Sequence, residues 1–225
     1  MRPVAMANTY IIIAAYNEQA HIADVVRRTK AAGYSNIIVA DDGSTDKTAP
    51  EARRAGAIVV RHALNLGKGA ALKTGADAAL TYGAEKLVFI DGDGQHRPEE
   101  IKSVLRALKG KTDIVFTYRK EVKKAPLIRR IGGLATSALI RVFYNLHVRD
   151  ALCGMRAMTA DAYTKIRWTS TDYTVESEMI ANAGMKFLKA DEVPISTIYH
   201  DTYKGMTIID GMKILMRLVW WRMTR

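Results

Sequence analysis

The chain has 225 residues, of which 48% are hydrophobic, so it is long enough for one domain with a substantial core. Its formal net charge of +11 favours an anionic partner: nucleic acid, an acidic membrane surface or phosphorylated substrates. The single cysteine, Cys153, excludes an internal disulfide and is typical of a reducing compartment. No apolar run reaches transmembrane length, so we expect a cytoplasmic chain that is soluble or peripheral on a membrane.

The first half of the chain alternates short runs rich in Ile and Val with longer segments of helical spacing. Strands are predicted at Tyr10–Ala14, Ile37–Ala40, Ala57–Arg61, Leu87–Ile90 and Asp113–Tyr118. Helices are predicted between them at Ala20–Ala31, Lys47–Ala55, Gly69–Tyr82 and Pro98–Leu108. The strands lack polar–apolar alternation, which indicates parallel strands buried on both faces. This order predicts an α/β fold with a doubly wound, mostly parallel sheet flanked by helices.

The second half begins with a basic segment and then shows two amphipathic helices separated by shorter elements. The basic residues lie between Arg119 and Arg130, and an apolar helical pattern runs from Leu127 to Leu146. The other predictions are a turn and strand within 150–157, a helix at about Val175–Ala183, a strand at Lys189–Thr197 and a helix from Ile208. No linker interrupts the chain, so we predict a single domain over residues 1–225.

Two features of the second half each allow two interpretations. The final helix ends in Trp220 and Trp221 among arginines, which indicates either an interfacial anchor on anionic lipid or a core helix with two buried tryptophans. The basic segment is either a solvated face or a surface that attracts phosphate and membrane.

Polar, Gly-rich loops follow the first four predicted strands. They are Tyr16–Glu18, Asp41–Ser44, Asn65–Gly69 and Asp91–Gln95. Ligands of doubly wound sheets bind at the carboxyl ends of the strands, so the four loops predict one shared site.

The fourth loop carries oxygen-bearing side chains at alternate positions, namely Asp91, Asp93 and Gln95. An incomplete set of oxygen ligands suits Mg²⁺ or Mn²⁺ that also holds substrate phosphates. An ordinary Asp/Gly turn is the alternative for the motif taken alone. Its place after a buried strand, beside three similar loops, favours the metal. The glycine spacing excludes an EF-hand.

The second and third loops are less specific. Asp41 and Asp42 stand at a strand end, where a carboxylate either caps the next helix or accepts bonds from a base or ribose. The segment around Lys68 lacks the spacing and the following Ser or Thr of a P-loop, although Lys68 could approach a pyrophosphate. No G-x-G-x-x-G follows the first strand, which disfavours a dinucleotide-binding domain.

Taken in order, these motifs resemble the family-2 inverting glycosyltransferases with a GT-A fold, and more narrowly the dolichyl- or polyprenyl-phosphate mannose synthases. The narrower resemblance rests on Gln95-His96 before Pro98, on Cys153–Ala157 and on Glu192–Ile195. The similarity covers roughly residues 10–207. Two positions depart from the family pattern: Ala14 replaces the usual proline, and Tyr203–Thr207 lacks the expected Arg and Ser-Lys.

The resemblance implies a nucleotide-sugar donor (best match GDP-mannose), Mg²⁺ or Mn²⁺, and a polyprenyl- or dolichyl-phosphate acceptor at the cytoplasmic membrane face. It implies donor contacts by Ala14, Tyr16, Glu18, Asp42, Asp91, Gly92, Asp93, Arg119 and Lys204. Asp93 and Gln95 would bind the ion, with Asp91 beside the ribose and pyrophosphate. Arg119 would meet phosphate at the donor–acceptor junction. The residues expected to act in catalysis are Asp93, Arg119 and Glu176.

A lipid phosphate is already ionised at neutral pH, so its in-line attack needs orientation rather than a general base. Residues 1–118 would then bind the donor, and residues 119–225 would face the acceptor and the membrane, with the amphipathic helices or a partner membrane subunit as tether. Alternatives are a UDP-sugar donor carrying glucose or N-acetylglucosamine, and a glycan hydroxyl acceptor, which requires Glu176 or Glu178 as base. A nucleotidyltransferase would need a basic first loop. Acidic strand-end loops disfavour a nucleic-acid partner.

Overall fold

The computed structural model describes residues 8–120, 127–198 and 208–224. Within them the strands are Thr9–Ala15 (β1), Ile37–Asp41 (β2), Ile58–Arg61 (β3), Lys86–Asp91 (β4), Ile114–Arg119 (β5), Arg156–Thr159 (β6) and Ala190–Ile195 (β7). The α-helices are Ile22–Ala31 (α1), Thr48–Arg54 (α2), Lys68–Thr81 (α3), Ile101–Ala107 (α4), Leu127–Tyr144 (α5), Ala160–Ile166 (α6), Val175–Met185 (α7) and Ile208–Thr224 (α8). A 3₁₀ turn at Pro98–Glu100 leads into α4.

The strands form one sheet in the order β3-β2-β1-β4-β6-β5-β7. Neighbouring strands are parallel except around β6, which runs antiparallel to β4 and β5. The chain proceeds from β1 outward through β2 and β3, and then crosses to β4 on the other side of β1. A crevice therefore opens at the carboxyl ends of β1 and β4. The predicted α/β class and mostly parallel sheet are confirmed.

Both faces of β1, an inner strand of the sheet, are covered by helices, as its apolar run Ile11–Ala15 without alternation predicts. Ile11 and Ile13 pack in one core layer with residues of α1 and α4. Ile12 packs in the opposite layer with residues of α3, α5, α6, α7 and α8. The last helix is therefore built into the domain.

Several details differ from the sequence predictions. β3 is an edge strand whose Ile58 is 41% exposed, so the expectation of burial on both faces was wrong there. A turn and a strand were predicted within residues 150–157. The strand, β6, begins only at Arg156, and helix α6 follows it directly. The sequence analysis did not predict α6, because a helix of seven residues is too short to show a clear hydrophobic period. The predicted helix Pro98–Leu108 divides into a 3₁₀ turn and α4.

Of the two interpretations of the final tryptophans, the buried core position holds for Trp221, and the lipid contact of Trp220 stays a prediction. Trp221 is buried in the core, whereas Trp220 is 58% exposed. Across the described ranges, no helix combines the length and apolarity needed to cross a bilayer. The predicted loop residue Lys204 and the basic residues within 121–126 lie outside the described residues.

Candidate active site

The loops after β1 and β2 are tied together by bonds from backbone to side chain. Asn17, with a positive φ of 54°, donates its N–H to Ser44 Oγ at 2.9 Å. The N–H of Glu18 donates to Thr48 Oγ1 at 2.8 Å. Tyr16, beside these bonds, is 44% exposed at the rim of the crevice. Its predicted contact with the nucleotide, like that of Glu18, stays a prediction.

Asp42 joins the second loop to the third. Its Oδ1 accepts from the Leu66 N–H at 2.9 Å and lies 2.7 Å from His62 Nδ1, while Oδ2 accepts from the Gly67 N–H at 2.8 Å. His62 Nε2 in turn lies 2.9 Å from Thr74 Oγ1. Asp42 is 3% exposed and its carboxylate shapes the third loop, and these three contacts occupy most of the acceptor positions of the carboxylate. Its predicted contact with base or ribose stays a prediction.

The third and fourth loops meet through an ion cluster. Lys68 Nζ lies 2.7 Å from Asp91 Oδ1, at the end of β4, and 2.6 Å from Glu176 Oε1, on α7. His96 Nε2 lies 3.3 Å from Asp91 Oδ2. The side chains of Lys68 and Glu176 are 16% and 6% exposed. The structure thus brings Asp91 and Glu176, both predicted from the sequence, to one place through a lysine.

Lys68 and Asp91 each stabilise the charged form of the other. Burial favours the neutral form of Lys68, but Asp91 and Glu176 outweigh it and raise the pKa of Lys68 above its ordinary value. Burial also opposes ionisation of Asp91, yet Lys68 and His96 lower the pKa of Asp91 far below its usual range. Lys68 and Asp91 are therefore both charged at neutral pH.

The start of α3 is packed against a loop that comes from the second half of the chain. A Cβ on Gly67 would lie 2.3 Å from the carbonyl oxygen of Thr171, and one on Gly69 would lie 2.2 Å from that of Ser170. Trp168 donates its Nε1–H to the Gly69 carbonyl oxygen at 2.8 Å. The glycines flanking the lysine therefore permit close backbone packing, which explains a pattern that only superficially resembles a phosphate loop.

α7 places its two acidic side chains in different surroundings, since residues two apart point about 200° apart around a helix. Glu178 is fully buried and accepts from the N–H groups of Thr169 and Ser170 and from the Thr169 hydroxyl, at 2.7 to 3.1 Å. It anchors the loop that packs on α3. Glu176 instead faces Lys68, so of the two sequence candidates it is the one at the crevice.

The predicted metal ligands form an incomplete site. Asp93 Oδ1 accepts from the Gln95 N–H at 3.0 Å in the turn after β4. Among the residues with described positions, no group of three or more His, Cys, Asp or Glu could hold a metal ion. A carboxylate and an amide oxygen nevertheless fit Mg²⁺ or Mn²⁺, whose other positions water and substrate phosphates complete. Asp91 fits as a direct ligand less well, because its oxygens face Lys68 and His96.

The Cys-Gly-Met-Arg motif packs against the ion cluster. A Cβ on Gly154 would lie 2.3 Å from Asp91 Oδ2, so glycine lets that carboxylate approach the backbone. Arg156 is fully buried and donates to several carbonyl oxygens, among them those of Cys153 and Glu176. Sequence reasoning gave Arg156 no role. Its only signal was a charged residue inside an apolar strand, and such a charge must find partners.

Three further predicted residues lie at the ends of strands. Arg119, at the end of β5, donates from Nε and Nη2 to Asp150 at 2.7 and 3.1 Å and is held in a fixed orientation. Ala14, near the end of β1, is 9% exposed. A Cβ on Gly92 would lie 3.0 Å from the Ala14 carbonyl oxygen, so these two loops touch at the floor of the crevice.

Comparisons with known proteins agree with this fold. Residues 10–167 match the sequence model of Glycosyl transferase family 2. The chain is 32% identical to a UDP-N-acetylglucosamine–dolichyl-phosphate N-acetylglucosaminyltransferase of Methanococcus voltae, over 95% of this chain and 96% of that protein. It is 28% identical to the polyprenol monophosphomannose synthase of Mycolicibacterium smegmatis, over 92% and 82%. Glucosyl-3-phosphoglycerate synthase from Mycobacterium tuberculosis, crystallised with Mn²⁺, UDP and glucosyl-3-phosphoglycerate, shares the fold: the TM-score is 0.72 at 20% identity, over 98% and 84%.

Proposed function

This chain belongs to glycosyl transferase family 2, and on that premise we propose that it transfers a sugar from a nucleotide-sugar to a polyprenyl or dolichyl phosphate, with inversion. The observation that carries the proposal is the partly buried ion cluster of Lys68, Asp91 and Glu176 at the crevice of the sheet. It occurs in a chain that is similar, along almost its whole length, to a transferase acting on dolichyl phosphate.

The donor would lie across the ends of β1 and β4, with its diphosphate toward the turn after β4. Asp93 and Gln95 would hold a Mg²⁺ or Mn²⁺ there, and this ion neutralises the diphosphate as it leaves. Lys68 adds a second positive charge at the same crevice, and Tyr16 offers an exposed ring at its rim. The presence of Mn²⁺ and UDP in a protein of the same fold supports this arrangement.

The acceptor chemistry favours a phosphate over a hydroxyl. A phosphate monoester is already an anion at neutral pH, so attack on the anomeric carbon requires no proton removal. Glu176, the only one of the two acidic α7 candidates facing the crevice, is in ionic contact with Lys68. Its role is then to orient the lysine, while Arg119 and the basic residues after it attract the lipid phosphate.

Two donors stand first for testing. The relative with 32% identity uses UDP-N-acetylglucosamine by its name, whereas the one with 28% identity is a mannose synthase. This order places UDP-N-acetylglucosamine ahead of GDP-mannose, the donor expected from the sequence motifs.

The membrane contact would come from one face of α8. Met212, Met216, Trp220 and Met223 share this face and are between 51% and 82% exposed. Lys213 and Arg217 flank them, so the face combines apolar and basic groups as interfacial helices do. On α5, Leu134 and Val142 are also highly exposed, at 72% and 78%.

Matched tryptophan variants test the membrane contact. Trp220→Ala should lower sedimentation with anionic phosphatidylglycerol vesicles and leave the thermal midpoint nearly unchanged. Trp221→Ala should instead destabilise the fold by about 3–5 kcal/mol, the usual cost of emptying a core aromatic site. Equal vesicle binding by wild type and Trp220→Ala, both folded, would remove this face from the proposal.

The transfer reaction is tested with purified protein, Mn²⁺ or Mg²⁺, dolichyl phosphate in detergent and one radiolabelled donor at a time: UDP-N-acetylglucosamine, GDP-mannose or UDP-glucose. Label should enter the organic-extractable lipid with one donor and disappear with EDTA or with Asp93→Ala. Donor binding without lipid labelling would refute the phosphate acceptor and favour a glycan hydroxyl with Glu176 as base.

A further inference from the structure

Lys68 occupies the space between two carboxylates at the crevice, those of Asp91 and the buried Glu176. Its Nζ lies within 2.7 Å of an oxygen of Asp91 and of Glu176, and its side chain is only 16% exposed. The backbone on either side is packed against carbonyl oxygens of the loop at 170–171. The fold, as well as charge, therefore holds the ammonium group in place.

The ion proposed at Asp93 and Gln95 would lie in the turn that begins directly after Asp91, and an ion that also used an Asp91 oxygen would come close to this ammonium group. Mg²⁺ lies about 2.1 Å from a carboxylate oxygen, so on Oδ1 it would be no more than about 4.8 Å from Lys68 Nζ. The other oxygen, Oδ2, faces His96 Nε2 at 3.3 Å. Like charges at that separation repel strongly where little water screens them. The diphosphate of a donor brings negative charge that offsets this repulsion.

We propose that Lys68 makes metal binding dependent on the nucleotide, by acting as the resident counter-ion of Asp91 and Glu176 until a nucleotide diphosphate enters with the divalent cation. The inference rests on the metal-assisted reaction proposed above and adds an order to it. Removing the ammonium group would leave the carboxylates of Asp91 and Glu176 without their shared counter-ion, and uncompensated carboxylates attract a divalent ion without nucleotide.

The test measures Mn²⁺ binding directly, from the electron paramagnetic resonance signal of free Mn²⁺, without nucleotide and with UDP or GDP. Lys68→Met removes the charge and keeps the length of the side chain, while Lys68→Arg retains the charge. Lys73→Met removes a lysine from the same helix, outside the cluster. Circular dichroism establishes that each variant is folded.

Wild type, Lys68→Arg and Lys73→Met should bind Mn²⁺ weakly alone and at least about tenfold more tightly with the matching nucleotide. Lys68→Met should bind Mn²⁺ alone at least about tenfold more tightly than wild type does. Folded Lys68→Met with wild-type affinity would overturn the inference, as would wild type that binds Mn²⁺ equally with and without UDP and GDP. Because no acceptor is present, a failure of lipid labelling leaves this result unaffected.

Discussion

Replacing Glu176 with glutamine separates a phosphate acceptor from a hydroxyl acceptor. The substitution keeps the shape of the side chain. It removes the carboxylate whose Oε1 lies 2.6 Å from Lys68 Nζ, one of the two carboxylates that contact this lysine. A hydrogen bond to a charged group contributes about 1.5–3 kcal/mol. If this whole free energy stabilises the transition state, its loss lowers kcat/KM roughly 10- to 150-fold. Asp91 still holds the lysine, so the site should stay assembled.

A hydroxyl acceptor predicts a different result. Glu176 would then remove the acceptor proton, and loss of a general base costs about 10²- to 10⁴-fold in rate. The pH profile distinguishes the two cases where the magnitudes overlap. A phosphate acceptor loses its second proton near about pH 6, so an acidic limb there belongs to the lipid and survives the substitution.

The assay is kcat/KM for lipid labelling between about pH 5.5 and 8.5, across the acceptor's own ionisation. Glu85→Gln, an exposed residue remote from the crevice, is the matched control and should behave as wild type. Glu176→Gln should give a profile of unchanged shape, lowered by about one to two orders of magnitude. A loss above about 10³-fold, together with a vanished acidic limb, would refute the reasoning and assign Glu176 as base.

Other predictions concern the framework of the site. Gly69→Ala should destabilise the protein by about 1–3 kcal/mol in urea unfolding, because its Cβ would meet a carbonyl oxygen at 2.2 Å, whereas Gly133→Ala on α5, with open space around it, should be neutral or stabilising. Glu178→Gln should cost about 1–3 kcal/mol, since an amide cannot accept all the bonds that this buried carboxylate accepts, and a shift no larger than that of Glu85→Gln would contradict its anchoring role. Burial raises the pKa of the Cys153 thiol to about 11, so at about pH 8 a thiol reagent should modify it only in the unfolded protein, and rapid labelling of the native enzyme would refute its burial.

Much of the fold could be predicted because its signals are local. The Ile- and Val-rich runs without alternation mark parallel strands covered on both faces, and β1 meets that expectation. β3 has a similar composition but lies at the sheet edge. Strand order depends on how the crossovers pack, and composition does not encode it. For the same reason, composition does not show that β6 joins the sheet antiparallel to its neighbours.

Part of the site could also be predicted, for a topological reason. The carboxyl ends of adjacent parallel strands meet at one edge, so polar loops after β1, β2, β3 and β4 had to approach one another. The structure confirms that these loops are joined, through Asn17 with Ser44 and through Lys68 with Asp91. Which atoms bind the nucleotide and the ion stays a prediction.

The sequence by itself determined the class of fold, the family and the position of the crevice, because strand pattern and loop motifs are properties of short segments. Only the tertiary structure decided which charged side chains contact one another. Glu176 and Glu178 are alike in type and two residues apart, yet one faces Lys68 and the other anchors a loop. Lys68 lies far from Glu176 along the chain, and the burial that makes their contact strong exists only once folding brings Glu176 to the first residue of α3.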